Sequence, residues 1–179
     1  GSGGAIYNMG QIGDITGDFT GNYTGDSGGA VYNYGGSIGN IIGDFTNNNV
    51  SVDNSSSAGG AIYVSNGNIK YIEGNFTGNY SGRDGGAIYS SNNLKLIANN
   101  QDFMFKDNYT QSTSTGSIED NAIYMSSYQS ILTIEANNGG SWTLYDSING
   151  ARGYTVTLLS TEGRGTINLY NQIYNANVV

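Results

Sequence analysis

The sequence predicts an all-β chain, a three-sided parallel β-helix that winds through about six or seven coils as a stacked repeat array. Three observations lead there. A Gly-Gly-Ala-Ile/Val-Tyr block recurs along the chain, at Gly3-Gly4-Ala5-Ile6-Tyr7, Gly28-Gly29-Ala30-Val31-Tyr32, Gly59-Gly60-Ala61-Ile62-Tyr63 and Gly85-Gly86-Ala87-Ile88-Tyr89. A Phe-x-x-Asn motif alternates with it, as Phe19 and Asn22, Phe45 and Asn48, Phe76 and Asn79, and Phe105 and Asn108. No segment holds a convincing helical period, and short apolar beats are bounded by Gly, Asn and Asp instead.

The first beat, as in Ala5-Ile6-Tyr7, is small, β-branched and aromatic in sequence, which suits a short strand. Asp120-Asn121-Ala122-Ile123-Tyr124 is a worn copy in which Asp-Asn replaces Gly-Gly. The second beat is aliphatic: Ile12/Ile15, Ile38/Ile41/Ile42, Ile69/Ile72 and Leu94/Leu96/Ile97. The third is the Phe beat. One coil cannot bury its own apolar face. Stacked coils bury it, because each strand pairs with its equivalent about 4.8 Å above and below.

Stacking makes ladders of equivalent residues. Ile6, Val31, Ile62, Ile88 and Ile123 are expected inside as an aliphatic column, and Phe19, Phe45, Phe76 and Phe105 as an aromatic one. Tyr7, Tyr32, Tyr63, Tyr89 and Tyr124 each follow an inward residue, so they are expected on the outer face. The blocks begin between 25 and 35 residues apart. Residues 49–58 and 109–119, rich in Ser, Thr and Asn, take up the extra length and are expected to bulge at one corner without adding a ladder residue.

Residues 1–125 therefore form the regular coils. Over residues 126–179 the phrase dissolves, but strand signals persist at 131–135, 142–145, 154–159, 166–170 and 172–174. Gly139-Gly140, Asn149-Gly150 and Glu162-Gly163-Arg164-Gly165 mark turns between them. These residues are expected to be less regular coils of the same β-helix, with a separate small β-domain as the alternative. Gly1-Ser2 runs directly into a repeat block, which suggests a cut at a repeat boundary and hence a fragment of a larger chain.

Composition narrows the function. Only 11% of the 179 residues are charged, Gly numbers 29 and Tyr 15, and Pro is absent. That is not the charge-rich, aromatic-poor composition of a disordered chain. The net charge is −8, and the basic residues Lys70, Arg83, Lys95, Lys106, Arg152 and Arg164 are scattered. A nucleic-acid partner needs a basic stripe, so none is expected. No apolar run approaches the roughly 20 residues of a membrane helix. Without cysteine there is no disulfide framework and no thiolate metal site.

The pairing of Gly-Gly-Ala-Ile/Val with Phe-x-x-Asn resembles the polymorphic outer-membrane protein repeats of chlamydial surface autotransporters. The resemblance covers residues 3–108 and, more faintly, 120–124. Leu144-Tyr145-Asp146-Ser147-Ile148 and Leu169-Tyr170-Asn171-Gln172-Ile173 are similar to the last passenger coils of such proteins. The resemblance implies a right-handed parallel β-helix at the bacterial cell surface. It further implies an adhesin without enzyme activity, whose repeat motifs serve structure and adhesion, and a C-terminal outer-membrane barrel in the parent chain. The chlamydial members are often Cys-rich, and this chain is not.

Each candidate site has a plainer reading beside it. The Gly-Gly pairs lack the Lys and helix of a phosphate loop and suit tight turns. Gly35-Gly36-Ser37-Ile38-Gly39-Asn40 departs from the calcium nonapeptide in spacing and has Asn for Asp, so no metal is expected beyond adventitious calcium at Asp26 or Asp84. Stacking aligns Asp18, Asp44 and Asn75, but the repeat itself produces that spacing. With no His and no basic clamp, no catalytic residue and no cofactor are expected. The asparagines suit a side-chain ladder better than a partner site. The outer tyrosines are a candidate binding surface, or else are covered by turns and polar neighbours. The expected partner is a cell-surface protein or glycan receptor, or a second copy of the chain. The rival functions are a polysaccharide-degrading β-helix and a structural surface spacer.

Overall fold

The computed structural model describes residues 1–51, 56–112, 114–160 and 165–179. These form strands, turns and bends, with no helix among the described residues. The strands stack into parallel ladders, and the coils follow one another along a β-helical solenoid.

The first ladder holds Ile6–Asn8, Val31–Tyr34, Ile62–Ser65, Ile88–Ser90, Ile123–Met125 and Ile148–Gly150. Its register sets Ile6 on Val31, Val31 on Ile62, Ile62 on Ile88, Ile88 on Ile123 and Ile123 on Ile148. A parallel bridge from Ile148 to Ile173 adds a seventh level. The worn block at Ala122-Ile123-Tyr124 thus occupies a regular level, as its sequence predicts.

The second, aliphatic ladder is the longest. Gln11–Ile12 and Ile15–Thr16 both pair with Ser37–Ile42, which is followed by Asn68–Glu73, Leu94–Asn99, Ile131–Asn137, Tyr154–Ser160 and Ala176–Val178. The third sets Phe19, Phe45, Phe76 and Phe105 in register and continues the column with Leu144 and Leu169.

A fourth, short ladder follows the Asn corner: Tyr23–Thr24, Asn49–Val50, Tyr80–Ser81 and Tyr109–Gln111. It corrects the expectation that the two long corner insertions add no ladder residue. Asn49 pairs with Tyr23 and Tyr80, and Val50 is fully buried. In the second insertion, Ile118–Asp120 turns back antiparallel on Tyr109–Gln111 and pairs along that ladder's last strand. Residues 52–55 of the first insertion, Thr113 of the second and Glu162-Gly163-Arg164 of the last turn signal lie outside the described residues.

The core is one column of apolar side chains. Val31, Ile62, Ile88, Phe45, Phe76, Phe105, Leu96 and Trp142 are all fully buried within it. Ile6 and Phe19, in the first coil, are half-buried. The Phe rings lie face on face, with centroids 4.8, 4.8 and 4.5 Å apart and planes within 7°. That spacing is the rise of the coil, so one side-chain conformation repeats at each level. Such aromatic pairs contribute about 0.5–1.5 kcal/mol each beyond their buried area.

Candidate functional site

The two glycines of each block do different jobs. Gly28 sits at φ +68°, a left-handed conformation that suits glycine. Gly29 has no such φ, but a Cβ on it would run into the Gly60 carbonyl oxygen of the next coil. The pair is therefore a turn followed by a close crossing of two backbones, and it cradles no phosphate.

The Phe-x-x-Asn motif has a hidden third requirement. Gly21, Asn47, Gly78 and Asp107, directly ahead of the four asparagines, all lie at φ between +54° and +65°. Gly, Asn and Asp are the residues that tolerate this region best. The turn aims each following asparagine inward. Asn22 Nδ2 donates to Asn48 Oδ1 (2.8 Å), Asn48 Nδ2 to Asn79 Oδ1 (3.0 Å) and Asn79 Nδ2 to Asn108 Oδ1 (2.9 Å). Each inner amide also donates to the Phe carbonyl of the preceding coil: Asn48 to Phe19, Asn79 to Phe45 and Asn108 to Phe76, all at 2.8–2.9 Å. The asparagines are used up in holding coils together.

Sequence reasoning missed the end of this ladder. Asp146 Oδ2 accepts from the Asn108 side chain at 2.6 Å and from its backbone N–H at 3.0 Å. Burial pushes the Asp146 carboxyl up to about 6, against the lowering effect of those two hydrogen bonds. Also missed was a second, shorter ladder, in which Asn8 Nδ2 donates to Asn33 Oδ1 at 2.8 Å.

The aligned carboxylates serve as backbone caps. Asp18 accepts from the Asp44 N–H at 2.9 Å, and Asp44 from the Asn75 N–H at 2.8 Å and its amide at 3.0 Å. Asp26 pairs with the Gly1 amino group at 3.3 Å and Asp84 with Arg83 at 3.0 Å. No group of three or more metal-ligating side chains occurs among the described residues.

The tyrosines lie outward, one residue after the buried column. Tyr7 is 51% exposed, while Tyr32, Tyr63, Tyr89 and Tyr124 are half-buried. Their rings stack in turn at 5.2, 4.8, 4.6 and 5.7 Å. Each ring covers the face of the next, so the surface presents ring edges and phenol hydroxyls. Burial, then the neighbouring Tyr89 and Tyr32, push the Tyr63 phenol up to about 12, and burial raises Tyr32 and Tyr124 as well. The row is a stripe of hydrogen-bonding groups.

The stripe stops after Tyr124. Asn149 takes the next level, and the Ile148–Ile173 bridge puts Tyr174 at the level after that. A pocket of about 420 Å³ opens at this break, lined by Glu119, Asp120, Asn121, Asn149, Asn171 and Tyr174 among others. The sequence signal was there to find: Ile148 and Ile173 end two matching Leu-Tyr-Asp/Asn-x-Ile runs and align with the block isoleucines.

The fold and these ladders define a class, the β-solenoid repeat proteins whose coils are locked by stacked side chains. Within it, residues 73–91 match the Chlamydia polymorphic membrane protein (Chlamydia_PMP) repeat, and the chain carries a repeat of that type. The matched residues contain Phe76, Asn79 and Gly85-Gly86-Ala87-Ile88, and so span one Asn corner and the following block. The comparisons with curated proteins and with solved structures return no match. No helix among the described residues is long and apolar enough to cross a membrane.

Proposed function

We propose that this chain is part of an exported, surface-exposed β-helical passenger that adheres to host or neighbouring cells and performs no catalysis. One observation carries the reading: the Phe-x-x-Asn and Gly-Gly-Ala-Ile motifs inside the matched residues 73–91 recur, in register, in the neighbouring coils. The match to that repeat supports a location at the outer membrane surface. The solenoid suits the role, since it holds a long outer surface rigid. On this reading residues 126–179 are the last described coils of the same β-helix, and their strands pair on from the regular coils. The Gly-Gly-Ala-Ile and Phe-x-x-Asn motifs act through the stack, with Phe45, Phe76 and Phe105 buried. The outer tyrosines Tyr7, Tyr32, Tyr63, Tyr89 and Tyr124 form the binding stripe, which offers ring edges and phenol hydroxyls to a protein receptor or to the hydroxyls of a glycan, without a free ring face for a sugar to stack on.

The polysaccharide-degrading reading is weaker. Its best carboxylates, Asp18 and Asp44, are engaged as caps at equivalent repeat positions. The test is adhesion of beads coated with the 179-residue chain to epithelial monolayers and to matrix proteins, run beside incubation with acidic polysaccharides. Adhesion above that of uncoated beads, without turnover, is expected. Turnover of any glycan overturns the reading, and absence of adhesion favours a structural spacer.

A further inference from the structure

We infer that the pocket at the break in the outer tyrosine ladder is a subsite for one neutral hexose unit of a glycan, stacked on Tyr174 and hydrogen-bonded by the amides and carboxylates around it. This rests on the reading of the chain as a binding protein and gives that reading a ligand class.

The ladder supplies the first argument. From Tyr7 to Tyr124 each ring is covered by its neighbour, which leaves no face between coils for a sugar. Asn149 interrupts the column beside Tyr174. No other ring stacks on Tyr174 among the described residues, and it is 43% exposed at the pocket wall. A part-exposed ring without a ring partner, beside a polar cavity, suits the C–H face of a pyranose, which is apolar and rimmed by hydroxyls. A pocket of about 420 Å³ is of small-molecule size and holds one or two sugar rings.

The polar groups supply the second. Asp120 is held in place, because its carboxylate accepts from the Ser147 N–H at 3.1 Å and from the Asn171 amide. Asn149 Oδ1 accepts from Gly150 N–H at 2.8 Å and Asn175 Nδ2 at 3.0 Å, which leaves its own Nδ2 as a fixed, free donor. Rigid planar acceptors and donors around a ring platform match the alternating hydroxyls of a sugar.

Charge sets the ligand class. Glu119 and Asp120 line the pocket, and no Lys or Arg among the described residues does, so uronates, sialates and sulfated sugars are repelled. A second groove of about 460 Å³, along Gly10, Gly36, Gly67 and Asn68, has neither a ring nor a charged group in its lining among the described residues. Size alone does not single out the first pocket. The exposed tyrosine in its wall does.

The test is an NMR titration of the ¹⁵N-labelled 179-residue chain with methyl β-galactoside, methyl α-mannoside, N-acetylglucosamine and glucuronate. At least one neutral probe is expected to shift the side-chain amides of Asn149, Asn171 or Asn175 with millimolar Kd, and glucuronate to bind at least 10-fold more weakly. Tyr174→Ala is expected to weaken binding at least 10-fold, and Tyr174→Phe to keep it. Asn149→Tyr, which restores the missing ring and fills the pocket, is expected to abolish binding without lowering the Tm. The inference is overturned if no neutral probe shifts these amides, if glucuronate binds as well, or if Asn149→Tyr binds like the parent. The two readings fail separately. Sugar binding by a chain that does not adhere to cells keeps the pocket and overturns adhesion. Adhesion by a chain with no sugar response does the reverse.

Discussion

The Asn108 side-chain amide donates to the Asp146 carboxylate at 2.6 Å, so a ladder of four asparagines ends on a buried acid. Each asparagine below has a neutral partner above it. Asp146 is the one position in this column where the next coil brings a charge. It is 6% exposed, and burial outweighs its hydrogen bonds in setting its proton affinity.

Stability is therefore expected to fall as pH rises. Asp146 titrates at about 6 in the folded chain, against about 3.9 when unfolded. Between those values the folded state binds more protons, so the stabilising contribution is present in acid and lost as pH climbs through about 6. Two units correspond to at most about 3 kcal/mol. Burial raises Glu73, Asp84 and Asp120 in the same direction, while hydrogen bonds from Lys95 and Asn137 lower Glu135. Thermal melts should give a higher Tm at pH 5 than at pH 7.5, and Asp146→Asn should flatten the difference while keeping an acceptor for Asn108. A Tm that climbs with pH over this range contradicts the assignment.

Truncating the Phe column is expected to be costly at its centre. Phe76 is fully buried between Phe45 and Phe105, and Phe76→Ala should destabilise by about 3–5 kcal/mol in urea unfolding. Phe76→Leu should cost far less, because Leu144 and Leu169 already continue that column. Equal losses for the two variants would mean that ring stacking, and not volume, holds the coils.

Asn79 is expected to be less replaceable than its small size suggests. Its side chain serves the Phe45 carbonyl, Asn108 Oδ1, and both the backbone and side-chain N–H groups of Asn48. Each buried group left unpaired costs about 1–3 kcal/mol, so Asn79→Ala should lose at least about 3 kcal/mol. Asn22→Ala, at the half-exposed end of the ladder, should lose under half of that in the same denaturation series. A flat series along the ladder would contradict the network.

Glycine substitutions should separate crossing from turning. A Cβ on Gly29 meets the Gly60 carbonyl and the Asn49 backbone, whereas one on Gly25 meets nothing within 4 Å. Gly29→Ala should prevent cooperative folding, and Gly25→Ala should leave the Tm within a few degrees of the parent by differential scanning fluorimetry. Cooperative folding of Gly29→Ala at the parental Tm would show that the two backbones do not cross so closely.

Much of this architecture was legible because a solenoid writes its contacts into the sequence as recurrence. Once Ile6, Val31 and Ile62 fall at one place in a repeated phrase, stacking them is the only way each coil buries its apolar face. The same logic gives the Phe column, the Asn ladder and the outward turn of Tyr7, Tyr32 and Tyr63. The weak points were the corners. Asn49 and Val50 looked like insertion, because a two-residue strand carries too little pattern to be seen. The left-handed step at Asn47 and Asp107 hid behind a variable motif position.

The sequence by itself determined which residues stack, since recurrence fixes register whenever every coil must present the same face inward. Only the tertiary structure decided what that stacking leaves for others. Ring faces spaced about one coil rise apart cover one another, so the tyrosine stripe shows its edges. Asn149 and Tyr174 meet through a bridge between coils 25 residues apart, at a corner where the phrase has dissolved. The missing ring at Asn149 is written in the sequence, but the space it leaves between Asp120 and Tyr174 exists only because pairing sets those coils one above another.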